Sequence, residues 1–119
     1  MSIISDQELL ELAAKAARAS GLNIGQWYDA KQAHHVDDES NGSEYWWVPL
    51  DDDGDALRLA CALYFYIECN GENIIIYRSN ILGGTEDMIE KPEDNGGCRM
   101  VAMRRCIVRA AAEIGRAMP

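Results

Sequence analysis

Asp51, Asp52, Asp53 and Asp55 are the densest group of potential cation ligands in this chain. A calcium loop starting at Asp51 would place carboxylates at positions 1, 3 and 5, but it also needs glycine at position 6 and glutamate at position 12. Those positions hold Ala56 and Ala62. The aspartates therefore read as a helix start, one as the cap and the others near the positive end of the helix dipole. His34 and His35 are neighbours, and neighbours on a strand face opposite sides, so they cannot share a metal from a regular strand. Cys61, Cys69, Cys98 and Cys106 are spaced by 8, 29 and 8 residues, without the close pair of a zinc site. They read as four reduced, buried, small apolar side chains. No nucleophile elbow, phosphate loop or dinucleotide fingerprint occurs in the sequence. No catalytic residue, metal or cofactor is expected.

Two features could bind a partner. The first is Tyr45-Trp46-Trp47. Alternation along a strand sends one tryptophan into the core and leaves the other, together with Tyr45, facing out as an interface anchor. The second is the C-terminal segment. From Gly97 to Pro119 it carries five arginines against the single acid Glu113, about +4, in a chain of net charge −9. Arg105, Arg109 and Arg116 fall within about 40° of each other at 100° per residue. Such a stripe either docks on the acidic remainder of the chain or meets an acidic partner or a second copy.

The elements that must position these residues follow from periodicity and punctuation. Ser5 and Glu8 form a capping box, with Ile4 and Leu9 as a hydrophobic staple, for a helix over about 5–20 that Gly21 stops. Aromatic, β-prone stretches predict a hairpin with strands near 25–34 and 44–48, joined by the polar loop Asp37 to Ser43 and ended by Pro49. A second helix is expected over about 53–65. Asn70-Gly71 then predicts a type I′ hairpin between YFYIEC and ENIIIYRS, followed by loop over 80–97. The last helix carries a core stripe of Met100, Met103, Ile107, Ala110, Ala111, Ile114 and Met118. The order α-β-β-α-β-β-α reads as a single α+β domain spanning 1–119, with helices one and three packed on the sheet and a hint of a doubled αββ unit.

At 119 residues the chain can bury one core without help from metals or disulfides. Its acidic balance argues against direct binding to nucleic acid or anionic membrane, which need a basic footprint. It leaves room for a partner that is itself basic. No apolar run approaches the roughly 20 residues of a membrane span, and the first residues lack the basic start of a signal peptide. A cytoplasmic location in the host cell is expected.

PLDDDGDALRLA (Pro49 to Ala60) and RRCIVRAAAEIGRAMP (Arg104 to Pro119) resemble a family of small, uncharacterised proteins of tailed phages and prophages. Trp47-Val48-Pro49-Leu50 matches the opening of the family's mid-chain segment. Cys106 stands where the family has alanine, and Glu8 to Ala17 also resembles the family's start. The likeness covers about a third of the chain. It implies a phage context and no catalytic residue. The resulting expectation is a non-enzymatic accessory protein that binds a host protein, to blunt a defence system or redirect a host enzyme. The alternative is a protein that binds or sequesters a small, nucleotide-like ligand, and a minor enzyme comes third. A homodimer through helix three or the Trp46–Trp47 strand is also expected.

Overall fold

The computed structural model describes residues 4–38, 43–79 and 85–119. They form an α+β fold in the order α-β-β-β-α-β-β-β-α. Helix α1 (Asp6–Ala19) precedes strands β1 (Ile24–Tyr28), β2 (Ala33–Asp38) and β3 (Ser43–Trp47). Helix α2 (Asp53–Ala62) precedes β4 (Tyr66–Cys69), β5 (Ile74–Ser79) and β6 (Thr85–Glu90). A 3-10 turn (Pro92–Asn95) leads into α3 (Arg99–Ala117). Each strand triplet is an antiparallel sheet in sequence order. The doubled unit is therefore αβββ rather than αββ.

Helix α1 begins as its sequence dictates. The Ser5 hydroxyl accepts the Glu8 N–H at 3.1 Å, Leu9 is buried, and Ile4 packs on the core. Gly21 takes φ 103 and ends the helix, with the Leu22 N–H returning to the Ala17 carbonyl. Helix α2 ends in the same way without glycine. Tyr64 adopts φ 58, and the Phe65 N–H returns to the Ala60 carbonyl. This left-handed tyrosine stops α2 at Ala62, three residues short of the expected end.

Three strand assignments differ from the sequence reading. The segment expected as one strand over 25–34 holds β1, a four-residue turn and the start of β2. Asp37 and Asp38 continue β2 and Ser43 opens β3, so the polar loop is shorter at both ends; residues 39–42 lie outside the described residues. The acidic stretch expected as loop over 80–97 contains β6, the 3-10 turn and the glycines Gly96 and Gly97 that follow it, with 80–84 outside the described residues. The β4–β5 hairpin is present, but its turn is not type I′. Neither Asn70 nor Gly71 takes a positive φ. The Asn70 side chain instead accepts the N–H groups of Glu72 and Asn73 at 2.9 and 2.8 Å.

Helix α3 is the central element. It packs on α1, on α2 and on β5 and β6, while the first sheet reaches the helices through β1 on α1. Ala102, Cys106, Ile107, Val108, Ala110, Ala111, Ala112 and Gly115 are all buried, so the helix is covered on several sides. That differs from the single stripe expected, and Met100 at its start is 44% exposed. The α1–α3 contact uses small residues. A Cβ on Gly115 would lie 2.0 Å from the Leu12 carbonyl oxygen of α1. Gly115→Ala should therefore destabilise the protein by about 1–3 kcal/mol through overpacking. Helix propensity alone would favour the alanine by roughly 0.5–1 kcal/mol. A lowered urea midpoint checks the sign.

The cysteines also depart from expectation. Cys106 is buried, but Cys61, Cys69 and Cys98 are exposed and all four are free thiols. Cys106 sits 3.1 Å from the Met88 carbonyl, and burial, aided by the nearby Glu90 charge, pushes its pKa up to about 12. Thiol-reagent titration of the native protein should count three fast thiols, with the fourth reacting only after denaturation.

Candidate functional site

The first sheet is shaped by an irregularity in β1. Ile24 pairs with Val36 and Trp27 pairs with His34, so β1 has one extra residue between those pairs. Strict alternation would put Tyr28 on the same face as Ile24. The bulge reverses this, so Trp27 turns inward and Tyr28 outward. Gly25 sits at the bulge, where a Cβ would fall 2.6 Å from the His35 carbonyl oxygen. A side chain there would push the two strands apart.

With this register each face of the sheet carries a row of aromatic rings, and each row is centred on one of the two adjacent histidines. On the inner face His34 lies edge-on between Trp27 at 5.1 Å and Trp47 at 5.8 Å. Trp47 is 1% exposed. On the outer face His35 lies between Tyr28 at 6.3 Å and Trp46 at 5.3 Å, and the Tyr28 and Trp46 rings meet at 5.4 Å. Tyr28 is 45% and Trp46 36% exposed.

The turn from β1 to β2 completes the outer face. Gln32 takes the left-handed conformation (φ 50), and both its backbone N–H and its side-chain amide donate to the Asp29 carbonyl. The Trp27 indole N–H donates to the Asp29 carboxylate at 2.8 Å. Thus held, the turn places the Lys31 ammonium 5.8 Å from the centre of the Trp46 ring, within cation–π range. Glu44 lies 3.8 Å from His35.

The tryptophans divide as alternation requires, Trp47 in and Trp46 out. Tyr45 does not join the outward residue. It shares the inner face with Trp47, at that face's open end, beneath the Arg58 guanidinium at 6.0 Å. Arg58 is fixed by Asp55, which is 3% exposed and also accepts the Val48 N–H. The outward cluster is thus Tyr28, Lys31, His35 and Trp46. The Trp27-Tyr28 and His34-His35 pairs held the signal for it, but the bulge that sorts them between faces has no sequence mark beyond Gly25.

The arginine stripe is held within the chain. Arg105 pairs with Asp6 at 3.2 Å, Arg109 with Glu90, and Arg116 with Glu113 at 3.3 Å. Arg104 binds Asp53 at 2.6 Å and the Leu50 carbonyl at 2.8 Å, and Arg99 donates to the Asn70 carbonyl. The aspartates serve α2. Asp52 caps it by accepting the Asp55 N–H, Asp53 takes Arg104, and Asp55 ties Val48 to Arg58. Among the described residues no three His, Cys, Asp or Glu side chains come together as a metal group. Also among the described residues, no helix is long and apolar enough to cross a membrane. An apolar groove between α2, β4 and α3, lined by Leu57, Ile67, Met100 and Met103, holds about 170 Å³. A polar recess beside Gly71 and Lys91 holds about 250 Å³.

Comparison with the models of known families, with curated proteins and with solved structures finds no match to this chain.

Burial lowers the His34 pKa to about 4, with the Arg18 charge adding to the effect, and its Nδ1 has no hydrogen-bond partner. In the unfolded chain the same imidazole titrates near 6.5. Above that pH it is neutral in both states. As pH falls from 6.5 toward 4, the unfolded state takes up a proton that the fold refuses. Stability then drops by up to about 1.4 kcal/mol per pH unit. Urea midpoints between pH 7 and 4.5 should fall more steeply for the wild type than for His34→Phe, whose ring cannot ionise. Identical slopes would mean that His34 is not held neutral.

Proposed function

We propose that this chain is a non-enzymatic phage or prophage accessory protein that works in the host cytoplasm by binding a host protein, and that it binds through the outer face of its first sheet. The observation that carries this is the row Tyr28–His35–Trp46, one ring from each of three hydrogen-bonded strands. Rings already fixed against each other lose little conformational entropy on binding, and exposed Trp and Tyr are the side chains most often found as binding anchors. The phage context, with its counter-defence or host-modulating role, is supported by the segments at Pro49 to Ala60 and Arg104 to Pro119. The small-ligand alternative has less support among the described residues, where the grooves of about 170 and 250 Å³ fall below the roughly 300–1,000 Å³ of ordinary ligand pockets. A homodimer has less support through α3, whose arginines face acids and carbonyls of their own chain, than through the Trp46 strand.

Affinity purification from host lysate, with wild type and with Tyr28→Ala/Trp46→Ala, tests the proposal. The wild type should retain one host protein near stoichiometry. The variant, with unchanged circular dichroism, should lose it by roughly tenfold or more, the scale of a hot-spot truncation. Equal retention by both, or recovery of a small molecule alone, would overturn the reading.

A further inference from the structure

We infer that the partner presents a basic segment to this face, and that one of its arginine or lysine side chains stacks on Trp46 in the place now held by Lys31. The inference rests on the proposal above that the face binds a protein, and it adds the chemistry of that protein.

Three observations carry it. First, Trp46 already holds a cation. Lys31 sits over its ring at 5.8 Å, and it is the one lysine or arginine of the first sheet and its β1–β2 turn. The ring face is therefore a working cation site with an internal occupant on an exposed turn. Second, the rest of the outer face is acidic. Asp37 and Glu44 are directly opposed across β2 and β3, two pairs along from His35 and Trp46 and so on the same face. Like charges in that position destabilise a sheet. A cation arriving beside Trp46 would relieve this opposition, whereas an acidic partner would worsen it. Third, the chain's own positive charge is largely engaged. The five arginines of α3 bind acids or carbonyls of the chain, Arg58 binds Asp55, and Arg18 binds the carbonyls of Ile24 and Gly25. A chain of net charge −9 thus meets its partner with acids outward, which favours a basic surface and disfavours a second copy of itself.

Lys31 supplies the deciding variant, because the sign of its effect depends on the partner. If the partner brings a cation to Trp46, Lys31 is its competitor and Lys31→Ala strengthens binding. If the partner is acidic, removing Lys31 weakens binding; an apolar partner that stacks on Trp46 would gain as well, and the citrulline peptide separates that case. The probe is a short peptide of alternating arginine and glycine, with a citrulline version that keeps the shape and loses the charge. Binding is read from tryptophan fluorescence and from the Trp46 indole N–H resonance.

The arginine peptide should bind and shift that resonance, and the citrulline peptide should not. Lys31→Ala should tighten binding several-fold, and Trp46→Ala should weaken it about tenfold, as expected for loss of a cation–π contact. Glu44→Gln should weaken it and flatten its salt dependence. Lys31→Ala changes only an exposed side chain, so the test stands even if Trp46→Ala fails to fold. Equal binding of the citrulline peptide, or no gain from Lys31→Ala, overturns the inference. If host-protein capture still depends on Tyr28 and Trp46 in that case, the binding face survives and only its basic partner is rejected. If capture shows no such dependence, both fall. A dimer in light scattering that Trp46→Ala dissolves would place a second copy on the face and also overturn the inference.

Discussion

The close passage of α3 over α1 is the constraint on which the rest of the structure depends. Where Gly115 meets the Leu12 carbonyl there is no room for a methyl group. Both helices bury small residues: Ala13, Ala14, Ala16 and Ala17 on α1, and Ala110, Ala111 and Ala112 on α3. Small side chains let two helices approach until their backbones nearly touch, and dispersion then acts between main chains. A helix so placed is covered on most sides, with α2 and the second sheet closing what α1 leaves open. Its charged side chains can only leave at the margins, and there they meet the other elements. Arg105 emerges at the start of α1, Arg104 at the start of α2 and Arg109 at the end of β6, each against a carboxylate. The charge split along the chain is thus largely a consequence of packing.

Much of this was legible in the sequence. The cap at Ser5, the stop at Gly21, the capping aspartate before α2 and the inward–outward split of Trp46 and Trp47 are local rules acting locally, and they held. The errors came where a tertiary contact overrode a local rule. Tyr64 takes a left-handed conformation that a tyrosine resists, so α2 ends at Ala62 although no glycine marks the stop. Strand β6 (Thr85–Glu90) reads as acidic loop, because its sequence lacks a run of β-branched residues. It is a strand because β5 offers its edge, with Ile76 opposite Met88. Met100 keeps the period of a core residue but lies where α3 has not yet entered the core.

The candidate site was half legible, for a related reason. Adjacent histidines must face opposite ways on a strand, and they do. The sequence could not show that each would be flanked by rings on its own face. That arrangement needs the one-residue shift in β1, and the shift needs Gly25 against the His35 carbonyl. Tyr45, by contrast, obeys simple alternation. It belongs with Trp47, two residues on, and grouping it with the outward tryptophan ignored the pleat.

The two αβββ halves show how one plan yields one sheet faced with isoleucines and one faced with aromatic rings. Both helices end in a left-handed residue followed by an apolar one, Gly21-Leu22 and Tyr64-Phe65, and both feed a three-stranded meander. The second sheet uses its inner isoleucines, Ile74 and Ile76, to cover α3, which anchors the sheet and fixes Cys106 beneath it. The first sheet lies against α1, and its inner row of Trp27, His34 and Trp47 fills that role with aromatic rings instead. The same three strands that bury this row must hold their backs to solvent at a fixed spacing. The outer row of Tyr28, His35 and Trp46 is therefore positioned by core packing as well as by its own ring contacts. The proposed binding face is thus backed by the packed core behind it, which holds its side chains in place.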